Sequence, residues 1–410
     1  MKRSTNRWVI LFGSFIVYLF DAMEIVILSF ALPAVRQEFG ATAVQAGLLA
    51  TATLIGIGVS ALVMGWLADV WGRRKTLILC LALFGVFTAL LAIAPSLLVM
   101  GILRFLSGLG LGGVWGIVSA LVVESWPPQS RAKAVSFVLS SFPVGAAVAS
   151  VAAGIFLPDW RLMFLVTGVS VLLPLAIVVF LFSESTEWLR TRDELRAAGG
   201  RTKVPLARIF ERGYARVTVL ASIVASLAFI AYYGASTWLP SYLINERGLS
   251  SRTVGVFMTV LNLGMFLGYF AFGWLADRIG KRNALVLSFF GTGVLMPLYG
   301  LATNQTMLLW LGPAYAFFMT FSGLFGSYLG EVYPTEFRTT GANFCFNVGR
   351  GVSAFAPVAI GSFAASQGLS SGLILSGGLF LAAGVVMIFL PRTERAARVH
   401  TAPSAEESHA

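Results

Sequence analysis

Gly65-Trp66-Leu67-Ala68-Asp69-Val70-Trp71-Gly72-Arg73-Arg74 returns further along the chain as Gly273-Trp274-Leu275-Ala276-Asp277-Arg278-Ile279-Gly280-Lys281-Arg282, at an offset of 208 residues. A second pattern, Glu124 with Pro127 and Arg131, returns as Glu331 with Pro334 and Arg338 at an offset of 207. Two unrelated patterns at nearly one offset mark a duplicated unit. Working outward from them, one long hydrophilic segment separates the copies. It divides the chain into an N-terminal half (1-182), a basic linker (183-216), a C-terminal half (217-391) and a polar tail (392-410).

Each motif follows an apolar stretch, and such stretches fill both halves. Hydrophobic residues make up 57% of the 410 residues and charged ones 11%, against roughly 45–50% and 25% in soluble domains. Runs of about 20 apolar residues suit a helix crossing ~30 Å of hydrocarbon, where a backbone must satisfy its own hydrogen bonds. We expect twelve spans, the first near 8-32, others near 44-68, 97-122, 134-157 and 338-363, and the last near 370-391. The fold class is therefore an all-α membrane protein of two six-helix bundles. With the N-terminus placed in the cytoplasm, the outer loops hold only Arg36, Arg161, Arg247 and Arg252 of the 29 Lys and Arg. Arg104 and Arg350 lie within spans and the rest are cytoplasmic, which places both termini inside by the positive-inside rule.

This asymmetry accounts for the net charge of +11 without a nucleic-acid partner. The first apolar run continues from Trp8 to Leu32, too long for a cleaved signal core and read as a retained span. Cys80 and Cys345 fall in apolar runs and define no disulfide framework. His400 and His409, the only histidines, lie in the tail, so neither a metal centre nor histidine catalysis is expected, and an enzyme is disfavoured. Gly108-Leu109-Gly110-Leu111-Gly112-Gly113 lacks the strand and the Gly-Lys-Ser/Thr of a phosphate loop and reads as a helix-packing surface. Gly145 with Ala149, Gly264 with Gly268, and the motif glycines Gly65 and Gly273 read the same way. Pro143 and Pro357 predict kinks in spans 5 and 11.

Four ionisable side chains lie where hydrocarbon should exclude them, Asp21, Glu24, Arg104 and Arg350, each at a cost of at least ~2.5–3.5 kcal/mol at the bilayer centre. Counting ~1.5 Å per residue puts Asp21 and Arg350 near the midplane, with Glu24 and Arg104 further out. Two opposite-charge pairs at matched depth are thus possible. Asp21 and Glu24 share a helix face with Tyr18 and Leu28, and two adjacent carboxylates in low dielectric resist double ionisation. They are candidates for proton coupling, with Arg104 beside them. Arg350 cannot lose its proton and needs an anion, from Asp21 or from a solute. Tyr232, Tyr233 and Asn262 are candidate hydrogen-bonding partners of that solute, and Trp115 a candidate wall.

The doubled loop motifs resemble the major facilitator superfamily over the whole chain; parallel six-helix repeats with a site between the halves are that superfamily's general architecture. The resemblance implies a cytoplasmic latch made by Asp69, Arg73, Arg74, Glu124 and Arg131 in one half and by Asp277, Lys281, Arg282, Glu331 and Arg338 in the other, breaking when the carrier opens inward. Electrostatics alone asks for a nearby cation or another helix's N-terminus at Asp69 and Asp277, since each sits at a helix C-terminus; the start of span 11 is available to the first and the start of span 5 to the second. Asp21-Ala22-Met23-Glu24, Tyr232-Tyr233-Gly234, Thr237-Trp238-Leu239-Pro240, Asn347-Val348-Gly349-Arg350 and Glu124-Ser125-Trp126-Pro127 resemble bacterial proton symporters for sialate, monocarboxylates, aromatic acids and nicotinate. Val114 stands where such carriers often have an acid, and Asp/Glu where the aromatic acid carriers have two aspartates. The resemblance implies a monomeric carrier in the bacterial inner membrane that takes up a small organic anion with a proton and needs no cofactor. A drug or metabolite exporter and a sugar or polyol carrier are the alternative readings.

Overall fold

The computed structural model describes residues 6–127, 130–190, 209–211, 213–333 and 338–392. Among them, twelve helices are long and apolar enough to cross a membrane. These are α1 (Arg7–Phe39), α2 (Ala43–Gly65), α3 (Arg73–Ile93), α4 (Leu97–Ser125), α5 (Phe137–Phe156), α6 (Trp160–Leu181), α7 (Ala215–Asn245), α8 (Ser251–Ile279), α9 (Lys281–Leu301), α10 (Gln305–Val332), α11 (Phe344–Gln367) and α12 (Leu369–Ile388). The helix containing α2 runs on to Trp71. An even number of spans leaves both ends of the described chain on one face, called here the terminal face.

Local chemistry starts and stops these helices. Thr42 accepts from Gln45 N while the Gln45 side chain accepts from Thr42 N, a reciprocal cap on α2. Ser96 and Ser250 cap α4 and α8. Gly72 and Gly280 turn the chain between α2 and α3 and between α8 and α9 with φ of 109° and 84°, angles that glycine alone reaches without strain.

Glycine also sets how closely helices pack. A Cβ on Gly108 or Gly112 would run into the Thr53 or Ile57 carbonyl of α2, and one on Gly110 into the Cys80 carbonyl of α3. Gly145 lies equally close to Leu19 of α1, and Gly264 and Gly268 to Pro313 and Phe317 of α10. The small-residue reading of these positions holds. It fails at Gly65 and Gly273, where a Cβ would meet nothing within 4 Å; in this motif Gly72 and Gly280 are the glycines that geometry demands.

The two spans in which Pro143 and Pro357 predict kinks both break near those prolines. The helix Arg131–Leu139 ends inside α5, which resumes at Ser141. In α11 the helix ends at Val352, a 3-10 turn covers Ser353–Phe355, and Ala356–Gln367 resumes with Pro357 in its first turn. Serine hydroxyls satisfy the carbonyls that each break frees: Ser140 Oγ donates to Phe137 O, Ser141 Oγ to Val138 O and Ser353 Oγ to Arg350 O, all at 2.7 Å. The break in α11 therefore sits immediately after Arg350. α10 is interrupted as well, between Phe318 and Phe321.

The described residues of the two halves approach closely near the face opposite the termini. A Cβ on Gly47 of α2 would lie 2.9 Å from Pro357 O of α11, and one on Gly255 of α8 would lie 2.7 Å from Ser150 O of α5. Trp238 of α7 donates to Pro357 O at 2.9 Å on the same side.

Candidate functional site

The four intramembrane charges converge between the halves, but not as two closed ion pairs. Asp21 and Glu24 are buried on α1 and Arg104 on α4, whereas Arg350 on α11 is half-buried. Among the described residues no carboxylate lies within 4.0 Å of either guanidinium. Arg104 donates from Nε to Thr53 Oγ1 at 2.9 Å and from Nη2 to the Glu24 backbone carbonyl at 3.5 Å, leaving Nη1 without a partner. Both oxygens of the Glu24 carboxylate, which faces Arg104 and Thr88, lack a hydrogen bond. The pairs anticipated from depth are thus neighbours that stop short of contact. Helix rise fixes depth but not the last few ångströms of approach.

Around Arg350 stand Tyr233, Tyr18 and Asp21. Its Nε has no partner, and neither has Asp21 Oδ1. An aromatic wall crosses the gap between the halves: Trp115 packs on Tyr18 with centroids 5.2 Å apart, Tyr18 on Phe142 at 6.0 Å, Phe142 on Tyr232 at 6.5 Å, and Tyr232 edge-on to Tyr233 at 5.2 Å. Phe321, buried just after the interruption in α10, closes on Tyr232 at 6.3 Å. A small cavity of 40 Å³ lies between the halves beside Arg104, with Thr53, Ser29 and Arg104 from the N-terminal half on one side and Tyr232, Tyr233 and Thr237 of α7 on the other. A single water needs roughly 10–15 Å³ by this measure, so the cavity is room for small polar species, with the aromatic wall beside it.

Of the residues anticipated from sequence, Asp21, Glu24, Arg104, Arg350, Tyr232, Tyr233 and Trp115 come together. Asn262, buried on α8, donates from its amide nitrogen to Met258 O of its own helix at 2.7 Å, a bond that leaves its second N–H and its amide oxygen to other partners. Thr53, Thr88, Phe142, Phe321 and Tyr269 were not singled out. Tyr269, near Tyr18 and Tyr232, bonds Ser322 at 2.7 Å across to α10. Its place seven residues after Asn262, on the same α8 face, was the available signal.

The loop-motif cations find their described partners within their own halves. Arg73 pairs with Glu124 at 3.3 Å and Lys281 with Glu331. Arg74 donates to Val178 O at 3.3 Å and Val179 O at 2.6 Å at the end of α6, and Arg282 to Met387 O and Ile388 O at the end of α12. A guanidinium on the last carbonyls of a helix complements its dipole. Asp277 is exposed and makes no ion pair with a described residue. The side chains of Asp69, Arg131 and Arg338 lie outside the described set, as do residues 191–208 of the linker and 393–410 of the tail. Glu184, read from sequence only as part of the linker, accepts from Arg73 N at 2.8 Å and Arg74 N at 3.2 Å at the start of α3.

A repeated bundle with charges and aromatics held between its halves is the architecture of a secondary carrier, and comparison with known proteins places it. The family model described as Major Facilitator Superfamily matches residues 10–328 and 245–408, and the chain belongs to that superfamily. It is 33% identical to an inferred metabolite transport protein of Haemophilus influenzae, over 95% of this chain and 97% of that one. It is 28% identical to the cis,cis-muconate transport protein of Acinetobacter baylyi (93% and 94% covered) and 26% identical to the sialic acid transporter NanX of Escherichia coli (89% of each). Among solved structures, a D-xylose-proton symporter superposes with a TM-score of 0.78 over 95% of this chain and 99% of that one; at 17% identity this likeness concerns the fold. The chain is a multi-pass membrane transporter of this superfamily and not an enzyme.

Proposed function

We propose that this carrier takes up a small organic anion together with protons, by alternating access, across the bacterial cytoplasmic membrane. In this reading it works as a monomer with the terminal face in the cytoplasm and no cofactor besides the coupled proton. The observation that carries the proposal is Arg350: a half-buried guanidinium beside Asp21, Tyr18 and Tyr233, whose Nε is unpartnered and which no described carboxylate contacts. A permanent cation so placed has open donors for an exchangeable carboxylate, and a bidentate guanidinium–carboxylate pair is among the stronger polar contacts available. Tyr233 lies beside it to orient the anion, and the Trp115–Tyr18–Phe142–Tyr232 wall gives the rest of the solute an apolar surface.

Asp21 and Glu24 are the proton carriers in this scheme, since their unpartnered oxygens can take a proton without breaking a hydrogen bond. The proton and the anion enter from the face opposite the termini, neutralise the central charges together and leave on the terminal side. The close approach of the halves at Gly47–Pro357 and Gly255–Ser150 fits a state closed to the first of these faces. Relatives named for muconate and sialic acid are consistent with an acid as solute.

The test is uptake into proteoliposomes of labelled carboxylates, sugars and cationic dyes, with and without an inside-alkaline pH gradient. Carboxylates are expected to accumulate only with the gradient, and uncharged sugars not at all. Outward movement of dyes alone would establish the exporter reading instead, and gradient-driven sugar uptake the sugar-carrier reading.

A further inference from the structure

Away from the small cavity beside Arg104, the structure has a second, larger hollow that the transport scheme does not use. It is a groove of 380 Å³ between the terminal-side parts of α7 and α11, lined chiefly by Phe210, Val219, Ile223, Leu227, Phe344 and Val348. Phe210, Val219 and Ile223 are 48%, 50% and 41% exposed, so the groove opens sideways, toward where lipid lies. An apolar groove at membrane depth is filled by hydrocarbon, because a void would leave its walls without contacts on one side.

What distinguishes this groove is the charge at its end. Arg216, exposed in the first turn of α7, begins a stripe continued by Val219, Ile223 and Leu227 at three- and four-residue spacing, hence along one helix face. The eleven steps from Arg216 to Leu227 span roughly 16 Å, close to one leaflet of a hydrocarbon core ~30 Å thick. Upstream, the sequence adds Arg208 and Arg212 at the same four-residue step, against the single acid Glu211. A cation at the interface above an apolar trough of one leaflet's depth is complementary to a lipid with an anionic headgroup.

We propose that the α7–α11 groove is a binding site for an anionic phospholipid of the terminal-side leaflet, one acyl chain lying along Val219, Ile223 and Leu227 and the phosphate meeting Arg216. The purified full-length protein, exposed to phosphatidylglycerol or phosphatidylcholine of equal chain length, tests this by native mass spectrometry. The wild type should retain phosphatidylglycerol about fivefold better, the preference expected of one interfacial arginine. Arg216→Gln should erase that preference, and Ser226→Trp, which fills the groove, should reduce retention of both lipids; if Ser226→Trp does not fold, Ile223→Trp probes the same wall. Equal retention of the two lipids by the wild type, or a preference untouched by Arg216→Gln, would overturn the proposal. A photo-crosslinking residue at position 223 locates the occupant: capture of phosphatidylglycerol is the expected result, whereas capture of residues 191–208 or of a second copy of the chain would overturn it.

Discussion

The two halves agree at their edges and differ at their centre. On the terminal face Arg74 and Arg282, 208 residues apart, hold the last carbonyls of α6 and α12, while Arg73–Glu124 and Lys281–Glu331 brace each half in matching ways. On the opposite face the same offset relates Glu38 to Glu246. Glu38 accepts from Trp160 Nε1 at 2.7 Å and from Arg161 at 2.6 Å, and Glu246 accepts from Leu369 N and Ser370 N, so each carboxylate ties the end of a half's first helix to the start of its sixth. In the middle the symmetry breaks. One repeat beyond Asp21 and Glu24 stand Phe229 and Tyr232. The duplicated residues hold each bundle rigid, and the chemistry sits where the copies have diverged, so that acids from one half face a cation and phenols from the other.

The sharpest way to break this contrast is to remove the central cation. Arg350→Ala should lower carboxylate uptake on the order of a hundredfold, as when one partner of a buried charged contact is lost, with protein yield and thermal stability retained; near-normal affinity in a binding assay would sink the anion site. Next in size, Asp21→Asn or Glu24→Gln should abolish accumulation driven by a pH gradient and yet leave solute exchange between preloaded liposomes and the medium. Gradient-driven accumulation in both variants would remove these residues from proton coupling.

Packing comes third. Gly112→Val should destabilise the protein by about 1–3 kcal/mol, measured as thermal unfolding in detergent, because its side chain would meet Ile57 O. Gly65→Ala, with open space around its Cβ, should change little; equal losses from the two would contradict the packing described. The smallest effect tests the symmetry at the edge. Glu38→Gln and Glu246→Gln should each lower stability by about 1 kcal/mol, Glu246 through the helix start it caps, and neither should alter substrate affinity. A loss of affinity in one alone would mean that the braces are not equivalent.

Much of this was legible before any coordinates. Apolar run lengths gave the twelve spans because hydrocarbon thickness sets helix length, and the doubled loop motif gave the repeat. The cost of burying charge picked out Asp21, Glu24, Arg104 and Arg350. Depth along each helix followed from the rise per residue, which is why the predicted neighbours are neighbours.

Azimuth and the choice among competing partners were not legible. Nothing in the residue order distinguishes an Arg282 that reaches for Asp277 from one that caps α12. Both alternatives satisfy the same donors, and the packing of neighbouring helices decides which acceptor is nearer. Composition and spacing thus determined that this is a duplicated membrane carrier with charge at its centre. Tertiary structure alone decided that Arg350 and the α1 carboxylates stand near one another unpaired, because that depends on where α11 breaks at Ser353–Phe355 and how closely its glycines and prolines let it approach the other half.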